Sequence, residues 1–210
     1  MRRGSIRACA CLLGAVALGA THAWSAALDL DASDLAGNVV NDFSGAGLLS
    51  FDFKAQNTSP VTLVVDVEAS EISGGSLAYE CLFLNQSPSD FSSLDVSVVS
   101  PAAFAAIGTV LDTSGDPIAG VSSDATSASI PFDPVFSPHP ADLFVEIGDV
   151  LGDPGSRDWE IDVSALPAGG GTFSMHLAAV PEPAGSGGVA TATLIALRLC
   201  ARRAKPSRLG

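Results

Sequence analysis

Six segments of this chain alternate apolar and polar residues with a period of two, and that pattern constrains the fold more than any other feature. Leu49, Phe51 and Phe53 alternate with Ser50, Asp52 and Lys54, while Leu63, Val65 and Val67 oppose Asp66 and Glu68. Leu94, Val96 and Val98 alternate with Asp95 and Ser97, and Leu143, Val145 and Ile147 with Asp142 and Glu146. Trp159, Ile161 and Val163 alternate with Asp158, Glu160 and Asp162; Phe173, Met175 and Leu177 with Thr172, Ser174 and His176. Successive side chains of a strand point to opposite faces, so each segment gains one buried and one wet face. Turn formers separate them, among them Gln56 to Pro60, Ser73 to Gly75, Asp112 to Pro117, Asp153 to Gly155 and Ala168 to Gly171. With weaker segments at Ala78 to Phe83 and Ile118 to Val121, the pattern predicts an all-β fold. The expected form is an antiparallel β-sandwich, jelly-roll or Ig-like, of about six to nine strands, flanked by two short apolar terminal segments. Pro101 to Val110 is the only stretch with a helical signal, and Ser122 to Pro140 reads as a long loop with one edge strand.

Charge is segregated along the chain. All 23 acidic residues lie between Asp29 and Glu182, where Lys54 and Arg157 are the only basic ones. The other basic residues sit at the ends: Arg2, Arg3 and Arg7, then Arg198, Arg202, Arg203, Lys205 and Arg208. Each basic end adjoins a short apolar stretch. Positive flanks of this kind stay cytoplasmic while the chain between them is exported. A middle so acidic repels nucleic acid and anionic lipid headgroups, and no nucleic-acid partner is expected. It is no disordered tail, because 47% of the chain is apolar and can build a core.

The N-terminus has the three parts of a secretory signal peptide. Met1 to Arg7 is positive, Ala8 to Ala20 apolar, and Thr21 to Ala27 rich in small residues. Signal peptidase is expected to cut after Ala23 or Ala27, where the residues that it reads are small. The apolar run falls short of the ~20 residues that a membrane span needs. Cys9 and Cys11 open that run instead of following it, which argues against a lipid anchor. Export would leave Cys81 and Cys200, with Cys200 in the basic tail, so no disulfide framework is expected.

At the other end, Pro181-Glu182-Pro183 is followed by the Gly- and Ser-rich Ala184 to Gly188, an apolar run from Val189 to Leu197, and a basic cluster. This order resembles the PEP-CTERM sorting signal, whose carriers are processed by exosortase, a membrane transpeptidase-like enzyme of Gram-negative bacteria. By that resemblance, Pro181, Glu182 and Pro183 form the recognised element, and Arg202 and Arg203 belong to the end held in the cytoplasm. The resemblance covers only this C-terminal end, and the apolar run is short for a span, giving marginal or transient membrane insertion. Gly187-Gly188 also resembles the related GlyGly-CTERM signal, the weaker of the two likenesses. The organisation expected is a signal peptide over 1–27, an exported β-sandwich over 28–179, and a sorting signal over 180–210.

The exported part carries few marks of chemistry. His22, His139 and His176 have no metal-ligand spacing, and no G-x-S-x-G elbow is present. Cys81 lies in an apolar segment and reads as an inert buried thiol. No cofactor is expected. Calcium is the one metal with candidate ligands, at Asp112, Ser114 and Asp116 in one loop, with Asp149, Asp153 and Asp158 in another. Asp and Ser also fill turns simply by capping backbone groups. Stacking on sugars would need exposed aromatics, yet Trp159 and Tyr79 read as core, leaving Phe136 and Phe144 as weak platforms. The expectation is a non-catalytic protein sorted to the cell surface or extracellular matrix, with an envelope, exopolysaccharide or biofilm role. A glycan- or calcium-binding module is the alternative, and a secreted hydrolase the third reading.

Overall fold

The alternating segments fold as strands whose apolar sides meet between two sheets. The computed structural model describes residues 26–138 and 143–183. It is nearly all β: a sandwich of two sheets, not a closed barrel. The strands are β1 (Ala27–Asp34), β2 (Val39–Asp42), β3 (Leu48–Ala55), β4 (Val61–Val67), β5 (Ser76–Asn85), β6 (Phe91–Val98), β7 (Ala103–Ala106), β8 (Val110–Asp112), β9 (Ser122–Ser123), β10 (Ser127–Phe136), β11 (Val145–Ile147), β12 (Trp159–Asp162) and β13 (Gly171–Pro181). Helix α1 (Ala69–Gly74) lies between β4 and β5. It stops at Gly75, whose φ of 86° is a left-handed conformation that glycine adopts without strain.

One sheet has six strands in the order β1-β4-β13-β6-β10-β9, all antiparallel to their neighbours. The other follows β2-β3-β5-β11-β8, with β12 joining β5 beyond β11, and β7 joining β12. Strand β5 thus pairs through Ser76 to Tyr79 with β12 and through Cys81 to Phe83 with β11. One feature departs from the expected antiparallel arrangement: β3 and β5 run parallel, from Leu48 opposite Ala78 to Ala55 opposite Asn85. The chain leaves β3 for β4 in the opposite sheet and returns through α1, so it re-enters in its original direction.

Between the sheets the aromatics pack in two groups, a band around Phe83 and a second group around Tyr79 and Trp159. Phe83 faces Phe53, Phe91, Phe132 and Phe136 with ring centroids 5.5, 6.0, 6.0 and 5.6 Å away. Further along, Tyr79 lies 5.9 Å from both Phe51 and Trp159, and Trp159 lies 5.5 Å from Phe104. Trp159, Tyr79 and Cys81 are fully buried, as their apolar surroundings in the sequence suggested.

Four local expectations are corrected. The described residues hold thirteen strands, not six to nine: β2 and β8 lack clean alternation, β1 alternates over the short run Leu28 to Asp31 with only Leu28 buried, β7 falls in the supposed helical stretch, and β9 and β10 lie in the supposed loop. In β10, Ala128, Ile130 and Phe132 point inward, while outward serines and prolines mask the pattern. Only Ala128 and Ser129 pair with β9, so Pro131 and Pro134 fall where β10 is an edge, a position that tolerates proline. The Pro101 to Val110 stretch is not helical: β7 pairs with β12, and Phe104 packs on Trp159, so tertiary pairing overrides the helix propensity of its alanines. Ile118 to Val121 forms no strand, although Ile118 and Val121 pack against the core.

Candidate functional site

The Pro181-Glu182-Pro183 element lies at the end of the last described strand. Strand β13, central in the six-stranded sheet, ends with Pro181 opposite Phe91. The Glu182 N–H then donates to the Asp90 carbonyl at 2.9 Å. Pro181, Glu182 and Pro183 are all exposed. At the opposite end Ala26 is fully buried and Ala27 pairs with Asp66 in β4. Ala23, Arg202 and Arg203 lie outside the described residues, as do the apolar terminal segments.

The loop proposed for calcium is a self-contained turn. The Asp112 carboxylate accepts the Ser114 N–H at 2.8 Å and the Asp116 N–H at 3.0 Å, both at Oδ1, so one of its two oxygens serves the backbone. The second acidic group does come together. Around the 148–158 loop, Asp149 accepts the Ser156 hydroxyl, and Asp158 accepts the Asp149 N–H at 3.0 Å. Beneath the loop lies Glu146, which the alternation had placed outside but which is only 1% exposed. The loop folds over it, and the Leu151 N–H donates to its Oε1 at 2.8 Å. Burial pushes the Glu146 carboxyl above the usual range, and Asp153 and Asp149 add to the rise against the pull of that hydrogen bond. Glu80 is raised in the same way, by burial first and then by Asp158, Asp149 and Glu146. Among the described residues no three His, Cys, Asp or Glu side chains are gathered as a metal ion would require.

Cys81 has no access to solvent, and burial pushes its thiol far up, so the thiolate needed for nucleophilic chemistry is suppressed. Burial likewise raises the Tyr79 phenol, whose hydroxyl finds no hydrogen-bond partner. Phe136 and Phe144 are half-buried and turn into an apolar cleft of about 570 Å³ with Phe132, Pro117 and Pro134. His176 is outward on β13, with its Nδ1 2.9 Å from the Thr62 hydroxyl. His139 lies outside the described residues.

The outer face of the six-stranded sheet is what sequence reasoning missed. Register aligns Thr62, His176, Ser97 and Ser127, from β4, β13, β6 and β10, in one row across the strands. Beside it runs a second row of Ala178, Asp95, Ser129 and Ser122, in which the Ser129 hydroxyl donates to Asp95 at 2.6 Å. At the β9 end these rows line an open groove of about 560 Å³, with Asp124 at its rim. Hydrogen bonds from Thr126 and Ser127 hold the Asp124 carboxyl below its usual range. Lys54 and Arg157 both belong to the seven-stranded sheet and its loops, so this face carries no positive side chain among the described residues apart from any charge on His176. The available signal was the run of outward serines in Phe91–Val98 and Ser127–Phe136, where charged residues would be usual.

No protein-family model, curated protein or solved structure matches this chain, so fold and function are argued from its own residues.

Proposed function

We propose that this is a non-catalytic exported protein, sorted to the cell surface or extracellular matrix through its C-terminal Pro-Glu-Pro signal, with an envelope or exopolysaccharide role. One observation carries the reading: Pro181-Glu182-Pro183, an apolar run and a basic cluster occur in order, opposite a signal peptide, with all acidic residues between. The basic end, Arg202 and Arg203 included, resists transfer, the apolar run stalls in the bilayer, and the stiff Pro-Glu-Pro stands outside. An exosortase-type enzyme is the processing partner. Support comes from the exposure of Pro181 to Pro183 at the border of the folded unit, where an enzyme reaches them without opening the core.

Signal peptidase acts at the other border. A cut after Ala23 keeps Ala26 in the core and Ala27 in its pairing with Asp66, whereas a cut after Ala27 removes both. We therefore assign Ala23.

A double substitution, Glu182→Ala with Pro183→Ala, tests the reading in the native host. The wild-type protein is expected in the surface or medium fraction without its basic tail, and the variant in the membrane fraction with the tail intact. Identical fractionation and mass for the two would refute it.

A further inference from the structure

We propose that the outer face of the six-stranded sheet is a glycan-binding surface, and that its ligand is an extended polysaccharide of uncharged or amino sugars, not of acidic sugars. The proposal deepens the matrix reading above by assigning a site and a ligand class.

Adjacent strands lie about 4.8 Å apart, close to the advance of one pyranose unit in an extended chain. The row Thr62, His176, Ser97 and Ser127 crosses four adjacent strands. It therefore offers an extended glycan lying across the strands one polar contact for each successive sugar. The parallel row with Asp95, Ser129 and Ser122 stands two residues along, about 7 Å away, within reach of groups on the same sugars. Where the rows reach β9, the groove at Ser97, Ser127 and Asp124 gives the chain a concave seat.

The chemistry of the side chains selects the ligand. Serine and threonine hydroxyls both donate and accept, matching the hydroxyls of a sugar, while carboxylates only accept and suit hydroxyl or ammonium donors. Asp95 and Asp124 project from this face, and the hydrogen bonds that Asp124 receives keep it ionised into the acid range. Uronate, sulfate or phosphate groups would meet carboxylates that no lysine or arginine among the described residues of this face offsets, and such like-charge contacts are strongly unfavourable. An apolar or membrane partner is disfavoured too, because the outward positions of both rows carry no large apolar side chain.

Retention of the full chain on amorphous cellulose, chitosan and alginate tests this. The double variant Ser97→Ala with Ser127→Ala removes two hydroxyls at half-buried outward positions, and a thermal melt verifies that the fold survives. Binding to cellulose or chitosan is expected, weakened about tenfold or more by the double variant, since each hydrogen bond is worth roughly 1 kcal/mol. Two charge-matched variants complete the set: Asp95→Asn should weaken binding, and Asp52→Asn, on the seven-stranded sheet, should leave it unchanged. Equal loss from both would mean adsorption by net charge and overturn the proposal. Binding to alginate alone, or to none of the three, would overturn it as well. None of these outcomes bears on tail processing, which the host fractionation reads separately.

Discussion

The two sheets differ in how they treat part of their carboxylates, although Glu160 and Asp162 of the seven-stranded sheet are also left to solvent. On the six-stranded sheet, every strand but the two-residue β9 is long and every pairing is antiparallel; Asp66, Asp95 and Asp133 stand exposed in water, and hydrogen bonds hold the Asp124 carboxyl below its usual range. On the seven-stranded sheet, short strands meet β5 from two directions, and the loop that bridges them closes over Glu146 and partly over Glu80. An acidic composition is therefore not one property. A regular face turns it into a hydrated surface open to a ligand, whereas an irregular one traps part of it at a cost in stability.

The largest effect expected lies between the sheets, where the distinction disappears. Phe83→Ala removes the ring at the centre of the aromatic band and should cost about 3–5 kcal/mol, measured by chemical denaturation. Next comes the buried Asn85, which donates to the carbonyls of Ser89 and Phe136, each at 2.8 Å, and accepts the Ser87 hydroxyl and N–H. Asn85→Ala leaves these groups unpaired at about 1–3 kcal/mol for each one that water does not reach, so a Tm well below wild type is expected. It ties the seven-stranded sheet to the end of β10, and a small effect would break the picture of two sheets joined there.

Titration sharpens the contrast directly. Glu146 and Glu80 have folded pKa values above their unfolded ones, so the folded state keeps protons that the unfolded state has lost. Stability should fall as pH rises from the ordinary glutamate range through the raised folded values. Asp124 works the other way: its contribution is present above the ordinary aspartate range and lost as pH falls through its lowered value. Glu146→Gln keeps an acceptor for the Leu151 N–H while removing the charge. It should flatten the high-pH decline in Tm, and an unchanged pH profile would show that loop closure costs the carboxylate nothing. The smallest effect belongs to Ser97→Ala, expected within about 0.5 kcal/mol of wild type because it only trims an outward position.

The sequence revealed the sandwich wherever inward apolar residues alternated with charged or polar outward ones, as in β3, β4, β6, β12 and β13. Strand β5 was faint because its outward side carries Leu82 and Leu84, which dilute the period of two, and β10 was hidden by serines and prolines. Glu146 was misplaced because alternation says which side of a strand a residue takes, not whether a loop later covers that side. The hydroxyl rows were illegible for a different reason. They exist only through the register of β4, β13, β6 and β10, and a one-residue slip of any strand would turn its serines into the core. The reading of the two ends as export signals, which we propose, rests on charge order and composition and on no feature of the fold.

The intact mass of the protein recovered from its native host, fraction by fraction, is the most direct test of export and tail processing. A mature chain that begins at Trp24, ends near Pro183 and appears in the surface or medium fraction is the predicted result. A chain in every fraction that still carries Arg202, Arg203 and Lys205 would contradict it.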